Sequence, residues 1–379
     1  MKKIFIIVVL LLGIASLPAQ ESPFLQKAYS SLIKLEDVDT TRIYQHSKAC
    51  ISVGLFTTGQ KAGFDVDVNF GVQLDETSSY RGLSTYRLSE DLCKKIGLEV
   101  GYGNASFSYA HEVGAKSAWK KKAFAFNMVG RAWGMNLNFF RITNPFISGL
   151  SVWDEQEEIV LQDEFVADER ALLRSFTVDG YYVFNNKRFA YPAAYKMGLI
   201  QRHTTGSWML TARYMQGELY NSLAGTLDSY NLIDGFGTMQ ASMGGGYSVN
   251  FVPWHKDPVG PRDEGLRNIT INLTAMPVLT LVNRLRTSMY EWDEEGHPTD
   301  EKINRVWCYP VPNYIGSAAI SLTMWRFYFS TQFTYNRFYF RSRHAFDTSQ
   351  MDIPDYVDNL NFRGTFHDWM LKGILVYRF

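Results

Sequence analysis

The sequence predicts an all-β protein, an antiparallel transmembrane β-barrel of about 12–14 strands that follows a cleaved N-terminal signal peptide. Three observations predict this class: a basic and apolar start, long segments of alternating apolar and polar residues, and a last strand that ends in Phe. A mean hydropathy of −0.17 and a charged fraction of 20% disfavour a helical membrane protein.

The first residues indicate export. A basic start, Met1-Lys2-Lys3, precedes an apolar run from Ile4 to Leu17, and Ala19 follows at a position suited to cleavage. The run is short for a retained anchor, since a spanning helix needs about 20 apolar residues. Residues 1–19 are therefore predicted to be a signal peptide.

The domain organisation follows from where alternation begins. Residues 20–48 lack strand alternation and carry apolar residues near helical spacing, which predicts an N-terminal periplasmic segment with a short helix. Alternation starts near Ala49 and continues to the last residue, so residues 49–379 are predicted to be the barrel.

The clearest alternating segment is FDVDVNFGVQL at residues 64–74, where the period of two holds throughout. Other long examples are 239–251 and 327–335. A strand that crosses lipid needs about 9–11 residues, whereas soluble strands average about 5–6. Strand length therefore predicts that the apolar faces meet lipid. The apolar set of residues 64–74 is expected to point outward, with these polar residues lining the lumen: Asp65, Asp67, Asn69, Gln240, Ser242 and Asn250.

The last strand carries a second signal. Leu375, Tyr377 and Phe379 share one face of LKGILVYRF. A terminal Phe with hydrophobic residues at alternate positions resembles the signature that the barrel-assembly machinery recognises in bacterial outer-membrane barrels. The predicted partners are accordingly this machinery during biogenesis and the lipid of a Gram-negative outer membrane.

Connection lengths test the topology, because outer-membrane barrels have short periplasmic turns and longer outer loops. Counting back from the C-terminus satisfies this rule as far as about residue 190, except that the connection 253–265 is longer than the rule expects. Before that point the count reverses, and it places the acidic stretch 143–173 inside. The reversal predicts a missed or invented strand on each side of that stretch, with EEIVLQ at 157–162 as the first suspect and 193–203 among the weaker strand candidates.

Composition excludes some partners. Lys plus Arg and Asp plus Glu are both 38, so nothing indicates nucleic-acid binding. The aromatic fraction of 15% suits the aromatic girdles of a membrane barrel. The three cysteines, Cys50, Cys93 and Cys308, are widely spaced and form no metal pattern, and the sequence does not decide whether any two form a disulfide.

The central part of the chain resembles a known family. The matching runs are Asp179–Tyr182, Val183–Asn185, Phe189–Ala194, Gln201 and Gly206-Ser207, with Asp39–Thr41, Gly130-Arg131 and Trp133–Leu137 before them. These residues resemble the domain of unknown function 4421 family of Bacteroidetes outer-membrane proteins, and the likeness extends over roughly residues 39–379. The resemblance implies an outer-membrane barrel. It assigns no catalytic residues.

Few residues indicate chemistry. None of the seven histidines pairs at metal-ligand spacing, so no metal and no cofactor is predicted. Gly244-Gly245-Gly246 lies inside an alternating strand with no helix after it, which predicts a bend or close packing rather than a phosphate site. The acidic clusters 153–158 and 292–301 lack calcium-loop spacing and are expected to be solvated loops.

The predicted function is an integral outer-membrane β-barrel, a narrow channel for small solutes, and not an enzyme. Two alternatives stay open. One is an outer-membrane enzyme with a site at the outer rim, built from His297, His344, Asp347, Asp352 and Asp355. The other is a structural or adhesive barrel that binds a partner through its outer loops. The sequence does not indicate an oligomeric state.

Overall fold

The computed structural model describes a defined part of the chain. The described residues are 38–45, 51–73, 79–89, 93–102, 105–113, 120–143, 147–155, 158–166, 172–220, 235–259, 264–292, 298–342 and 357–379. The predicted signal peptide, the predicted helix before residue 38, Cys50 and all five rim residues lie outside them. Within these ranges, no helix has the length and apolar character needed to cross a membrane.

The described residues form eighteen β-strands and one 3-10 helix, Tyr191–Ala194. In chain order the strands are β1 Ile43–Gln45, β2 Ile51–Gln73, β3 Ser79–Ser89, β4 Cys93–Tyr102, β5 Ala105–Glu112, β6 Lys120–Val129, β7 Trp133–Thr143, β8 Ile147–Glu155, β9 Glu158–Val166, β10 Leu172–Val183, β11 Leu199–Gln201, β12 Thr205–Tyr220, β13 Gly235–Lys256, β14 Arg267–Trp292, β15 Pro298–Trp307, β16 Val311–Met324, β17 Phe327–Arg341 and β18 Val357–Arg378.

Twelve of these strands close into one antiparallel barrel, which confirms the predicted fold class. The ring runs β2, β4, β5, β6, β7, β10, β12, β13, β14, β16, β17 and β18, and pairing of β18 with β2 closes it. Closure removes the unpaired sheet edges that a membrane would not tolerate. Four more strands extend the sheet beyond the ring: β3, β8 and β9 continue from β2, and β15 pairs with β14.

The short turns lie at the end where β18 finishes, here called the short-turn end. Trp325-Arg326 joins β16 to β17 there, because Phe327 pairs with Tyr377 near the C-terminus. The turn between β6 and β7, which contains Gly130-Arg131, lies at this end too. The acidic stretch 143–173 connects β7 to β10 at the opposite end, the long-connection end.

The structure corrects the reversed strand count. Residues 193–203, one of the weaker strand candidates, contain no wall strand; they belong to the connection between β10 and β12. Counting them as a wall strand assigns every turn before them to the wrong end of the barrel. The suspected EEIVLQ overlaps β9, which pairs with β8 outside the ring, so the β8–β9 pair leaves the direction of later strands unchanged.

The outward face of the wall is an apolar band with an aromatic border. Leu55, Leu98, Leu273, Ile320 and Leu371 are among its exposed side chains. Aromatic rings cluster near the short-turn end, where neighbouring strands bring them into edge or tilted contact. These pairs are Trp208–Tyr247 at 5.4 Å, Phe327–Tyr377 at 5.1 Å and Tyr377–Phe379 at 5.0 Å between ring centroids. Such a band and border are typical of barrels in lipid.

The inward face carries the buried polar side chains. Gln240, Ser242 and Asn250 are all buried, on the face opposite exposed Met243 and Phe251 of β13. They bond across to β14, with Gln240 Nε2 donating to Asn283 Oδ1 at 3.1 Å and the Ser242 and Thr280 hydroxyls 2.9 Å apart. A buried polar face linked by hydrogen bonds between neighbouring strands suits the inside of a barrel.

The structure corrects the orientation expected for residues 64–74. The register between β2 and β18 is unbroken from Ser52 to Asn69, so Asp65, Asp67 and Asn69 share the outward face of Leu55. Val66 is fully buried at 0% exposure, on the opposite, inward face. The three polar residues therefore do not line the lumen.

The reason is strand length. β2 has 23 residues, more than twice the roughly 9–11 that cross lipid. Its outward face changes from Leu55 to exposed Lys61 before residue 64 is reached. Beyond that point the outward residues are polar, and inward residues such as Val66 and Phe362 are buried in a protein core. The apolar residues of the alternating pattern therefore face inward here.

The three glycines of β13 are explained by close packing, as predicted. A Cβ on Gly246 would lie 2.0 Å from the Ala275 carbonyl oxygen, and one on Gly244 would lie 2.2 Å from the Pro277 oxygen. The obstacles are backbone atoms of β14, which a side-chain rotation cannot move. We expect Gly246→Ala to destabilise the barrel by about 1–3 kcal/mol or more, as overpacking does.

Urea unfolding of the detergent-solubilised protein measures this effect. Gly316→Ala is the matched control, because a Cβ at Gly316 of neighbouring strand β16 would meet nothing within 4 Å. Equal unfolding midpoints for the two variants would contradict the close approach of β13 and β14.

Candidate functional site in the barrel lumen

The connection between β10 and β12, residues 184–204, folds into the barrel and is called the luminal segment. It contains the 3-10 helix and the short strand β11. Phe189, Ala190 and Ala194 are completely buried. Pro192 at the start of the helix fixes its backbone and removes a donor that a strand would need.

Side chains of the wall hold this segment through its backbone oxygens. Asn250 Nδ2 donates to Ala190 O at 2.8 Å, and Ser330 Oγ donates to Ala194 O at 2.9 Å. Gln332 Nε2 donates to Tyr195 O at 2.9 Å. These donors come from β13 and β17, and only the interior of the ring places one segment within reach of both.

Tyr195 ties the segment to two more wall strands. Its hydroxyl donates to Asn272 Oδ1 of β14 at 2.7 Å and lies 2.8 Å from Ser317 Oγ of β16. Its ring centroid is 5.0 Å from that of Tyr191, which lies 4.8 Å from the ring of Tyr181 on β10. The three tyrosines form a continuous series of edge and tilted ring contacts from the wall into the lumen.

Gln201 closes the segment on itself. This side chain is buried at 0% exposure; Ala190 N donates to its Oε1 at 2.8 Å, and its Nε2 donates to Arg188 O at 2.9 Å and Arg42 O at 3.2 Å. Through Arg42 the bond reaches β1, which pairs with β11. Removal of Gln201 would leave buried backbone groups unpaired.

The start of the segment is hydrogen-bonded to the first residues of β12, which follow its end. Asn185 N donates to Ser207 Oγ at 2.9 Å, and Asn185 Nδ2 donates to Gly206 O at 3.2 Å. The segment therefore leaves and re-enters the wall at adjacent positions.

Two carboxylates form ion pairs with arginines of the luminal segment. Asp39 pairs with Arg188 at 3.4 Å, and Asp257 pairs with Arg202 at 2.7 Å. The hydrogen bond from Thr41 lowers the pKa of the Asp39 carboxyl, and the hydrogen bond from His255 lowers the pKa of Asp257. Both carboxylates therefore remain charged at neutral pH and keep their pairs with the arginines.

A charged cavity of about 350 Å³ remains beside the segment. Lys372 Nζ lies 2.8 Å from Glu99 Oε2, and Asp179 pairs with Arg213. Lys95 donates to Gln60 at 2.8 Å, and Gln60 in turn donates to Asp368 at 2.7 Å. Lys196 extends from the segment into this cavity. The lining carries both signs of charge, which suits small polar or charged solutes better than apolar ones.

The remaining predicted residues lie away from this site. Leu375 and Phe379 are exposed on the outer face with Tyr377. Their role as an assembly signal remains a prediction. Cys308 is buried and pairs with Ser342 in an isolated antiparallel β-bridge of the backbone. Cys93 is the first residue of β4. Across the described ranges, no cluster of three His, Cys, Asp or Glu residues is arranged to hold a metal ion.

The sequence pattern did not reveal the luminal segment. Tyr191, Tyr195, Lys196 and Gln201 are its key residues, and none was a candidate site residue. The available signal was Pro192, since proline is excluded from central strands and Pro192 directly precedes the candidate strand 193–203.

The fold and its lumen define a class: a closed 12-strand antiparallel barrel with a segment folded inside it. The chain belongs to the family described as domain of unknown function DUF4421, which matches residues 39–357. This confirms the resemblance seen in the sequence, and the residues that carry it include Asn185, Gln201 and Gly206-Ser207 of the luminal segment and its closure.

Known structures show distant likeness. The outer membrane protease OmpT from Escherichia coli is 9% identical with a TM-score of 0.37, covering 88% of this chain and 99% of that one. The β-domain of the Bordetella autotransporter BrkA is 10% identical with a TM-score of 0.25, covering 87% and 100%. No curated protein matches the chain. At these values the likenesses carry no functional argument.

Proposed function

We propose that the protein is an integral outer-membrane β-barrel that acts as a narrow, gated channel for small polar solutes. The observation that carries this proposal is the luminal segment beside a charged cavity. Membrane location is supported by the closed ring, the exposed apolar band and its aromatic border.

The segment is suited to move because the wall does not depend on it. Each wall strand pairs with wall neighbours along its length, as β10 does with β7 and β12. Apart from the short β1–β11 pairing, the segment is held by individual side-chain hydrogen bonds, each contributing about 0.5–1.5 kcal/mol, and by the packing of buried Phe189 against wall residues such as Met209 and Met276. Breaking them would open the lumen while leaving the barrel closed.

Conductance in planar bilayers tests the gate. Replacing residues 187–204 with a short Gly-Ser linker is geometrically feasible, since Asn185 already contacts Gly206. We expect the wild-type protein to be almost silent and the linker variant to conduct steadily. His203→Gln is the control, because His203 is an exposed residue of the same segment and its substitution leaves the luminal contacts intact.

The linker variant must first be shown to form the barrel, by its β-sheet circular dichroism and its resistance to protease. A correctly folded linker variant that conducts no better than wild type would contradict the channel. That result would favour a partner-binding barrel instead. One observation supports this alternative: β3, β8 and β9 extend the sheet beyond the ring at the long-connection end and offer a surface outside the wall.

A further inference from the structure

The apolar outward faces of several wall strands end at a basic residue. On β2 the outward residues are Val53, Leu55, Thr57 and Gly59 before Lys61. On β4, β7, β10 and β17 the corresponding positions are Lys94, Arg141, Arg174 and Arg337. These five exposed cations are called the basic collar: Lys61, Lys94, Arg141, Arg174 and Arg337. His111 and His367 occupy the same position on β5 and β18.

Composition does not explain why basic residues predominate at this position. The chain holds 38 basic and 38 acidic residues, so a random set of outward positions would carry both signs. Glu218 of β12 is the one acidic residue in this position on a described wall strand, and it lies beside Arg174 in the register.

The collar also repels itself. Arg141 and Arg174 are directly opposite each other on β7 and β10. Like charges directly opposite each other destabilise a strand pair. Among the described residues, Lys61, Lys94, Arg141 and Arg337 form no ion pair with an acidic side chain.

The position of the collar indicates what would neutralise it. Lys61 lies about ten residues along β2 from Ile51, which in a tilted strand spans roughly the 25 Å height of an apolar band. The cations therefore lie where hydrocarbon gives way to headgroups, and their long side chains can reach outward. Arginine binds phosphate through two parallel hydrogen bonds, and lysine binds it as a point charge.

We infer that the basic collar binds the phosphate groups of lipid headgroups in the leaflet at the long-connection end. This inference rests on the proposed membrane location and goes beyond it. The collar would then fix the depth and direction of the barrel in a leaflet rich in phosphate.

Lipid binding by native mass spectrometry tests the collar, using lipid A, which carries phosphates, and dephosphorylated lipid A as probes. The test variant is Lys61→Gln with Arg141→Gln. We expect it to bind lipid A about 30-fold more weakly than wild type, since each cation near an anionic lipid surface contributes about 1 kcal/mol. Wild type is expected to bind dephosphorylated lipid A weakly.

Two matched variants separate the collar from total charge. Lys61→Arg with Arg141→Lys keeps both cations and should keep the affinity. Lys256→Gln with Arg267→Gln removes two exposed cations that pair in register at the short-turn end, and it should also keep the affinity. An equal loss in this second variant would overturn the inference. So would equal binding of the two lipids, or displacement of lipid A by inorganic phosphate at equal concentration.

Flotation with lipid vesicles keeps this inference separate from the proposed function. If the wild-type protein floats with vesicles but shows no preference for phosphate, the collar inference fails and membrane insertion stands. If the wild-type protein does not float, the membrane location itself fails.

Discussion

Leu273→Arg is expected to lower the free energy of unfolding in lipid vesicles by about 2–4 kcal/mol, the cost of a cation on the lipid face of a barrel near mid-bilayer. Leu273 lies on the outward face of β14 and is 50% exposed. In water, a half-exposed leucine away from special contacts tolerates such a change within about 0.5 kcal/mol. The size of the effect therefore reports whether lipid or water covers this face.

Urea titration of the protein refolded into vesicles measures the loss. Val259→Arg is the matched control, because Val259 is 82% exposed in the connection after β13 and lies outside the apolar band. We expect the control to unfold like wild type. A similar small effect for both variants would show that the band faces water, and it would contradict the membrane location.

The sequence predicts the wall of the barrel well because the wall obeys a local rule. Every wall strand needs one apolar and one polar face, and this requirement appears directly as a period of two. Gln240, Ser242 and Asn250 illustrate the result, since all three are buried polar residues on the face that alternation places inside. Pairing of β18 with β2 then closes the ring.

The luminal segment follows no such rule. Its backbone oxygens accept bonds from Asn250, Ser330 and Gln332, which are distant in the chain and give no periodic signal nearby. Leu199, Ile200 and Gln201 even form a short strand, but its partner is β1 rather than the wall. A local pattern cannot tell a strand that spans a barrel from one that closes a loop inside it.

The facing of residues 64–74, opposite to the expected one, shows a second limit of prediction from sequence. Alternation states that two faces differ, but not which environment each face meets. The answer depends on height along the barrel, and therefore on where the apolar band ends, which the exposed Lys61 marks on β2. The buried face of β2 lies beside aromatic side chains here. Gly364 of β18 pairs with Val66 on one side and with Phe340 on the other, and Phe340 is fully buried.

Val66→Asp should accordingly be the more damaging of two neighbouring changes. It would place an unpaired carboxylate on the buried face, at a cost of about 3–5 kcal/mol. Asp65→Val alters the outward face beyond the band and should cost little. The effect of Val66→Asp should be the same in detergent and in vesicles, whereas that of Leu273→Arg should depend on lipid. If Asp65→Val proved the costlier change, Asp65 rather than Val66 would face the barrel interior, as alternation alone had predicted.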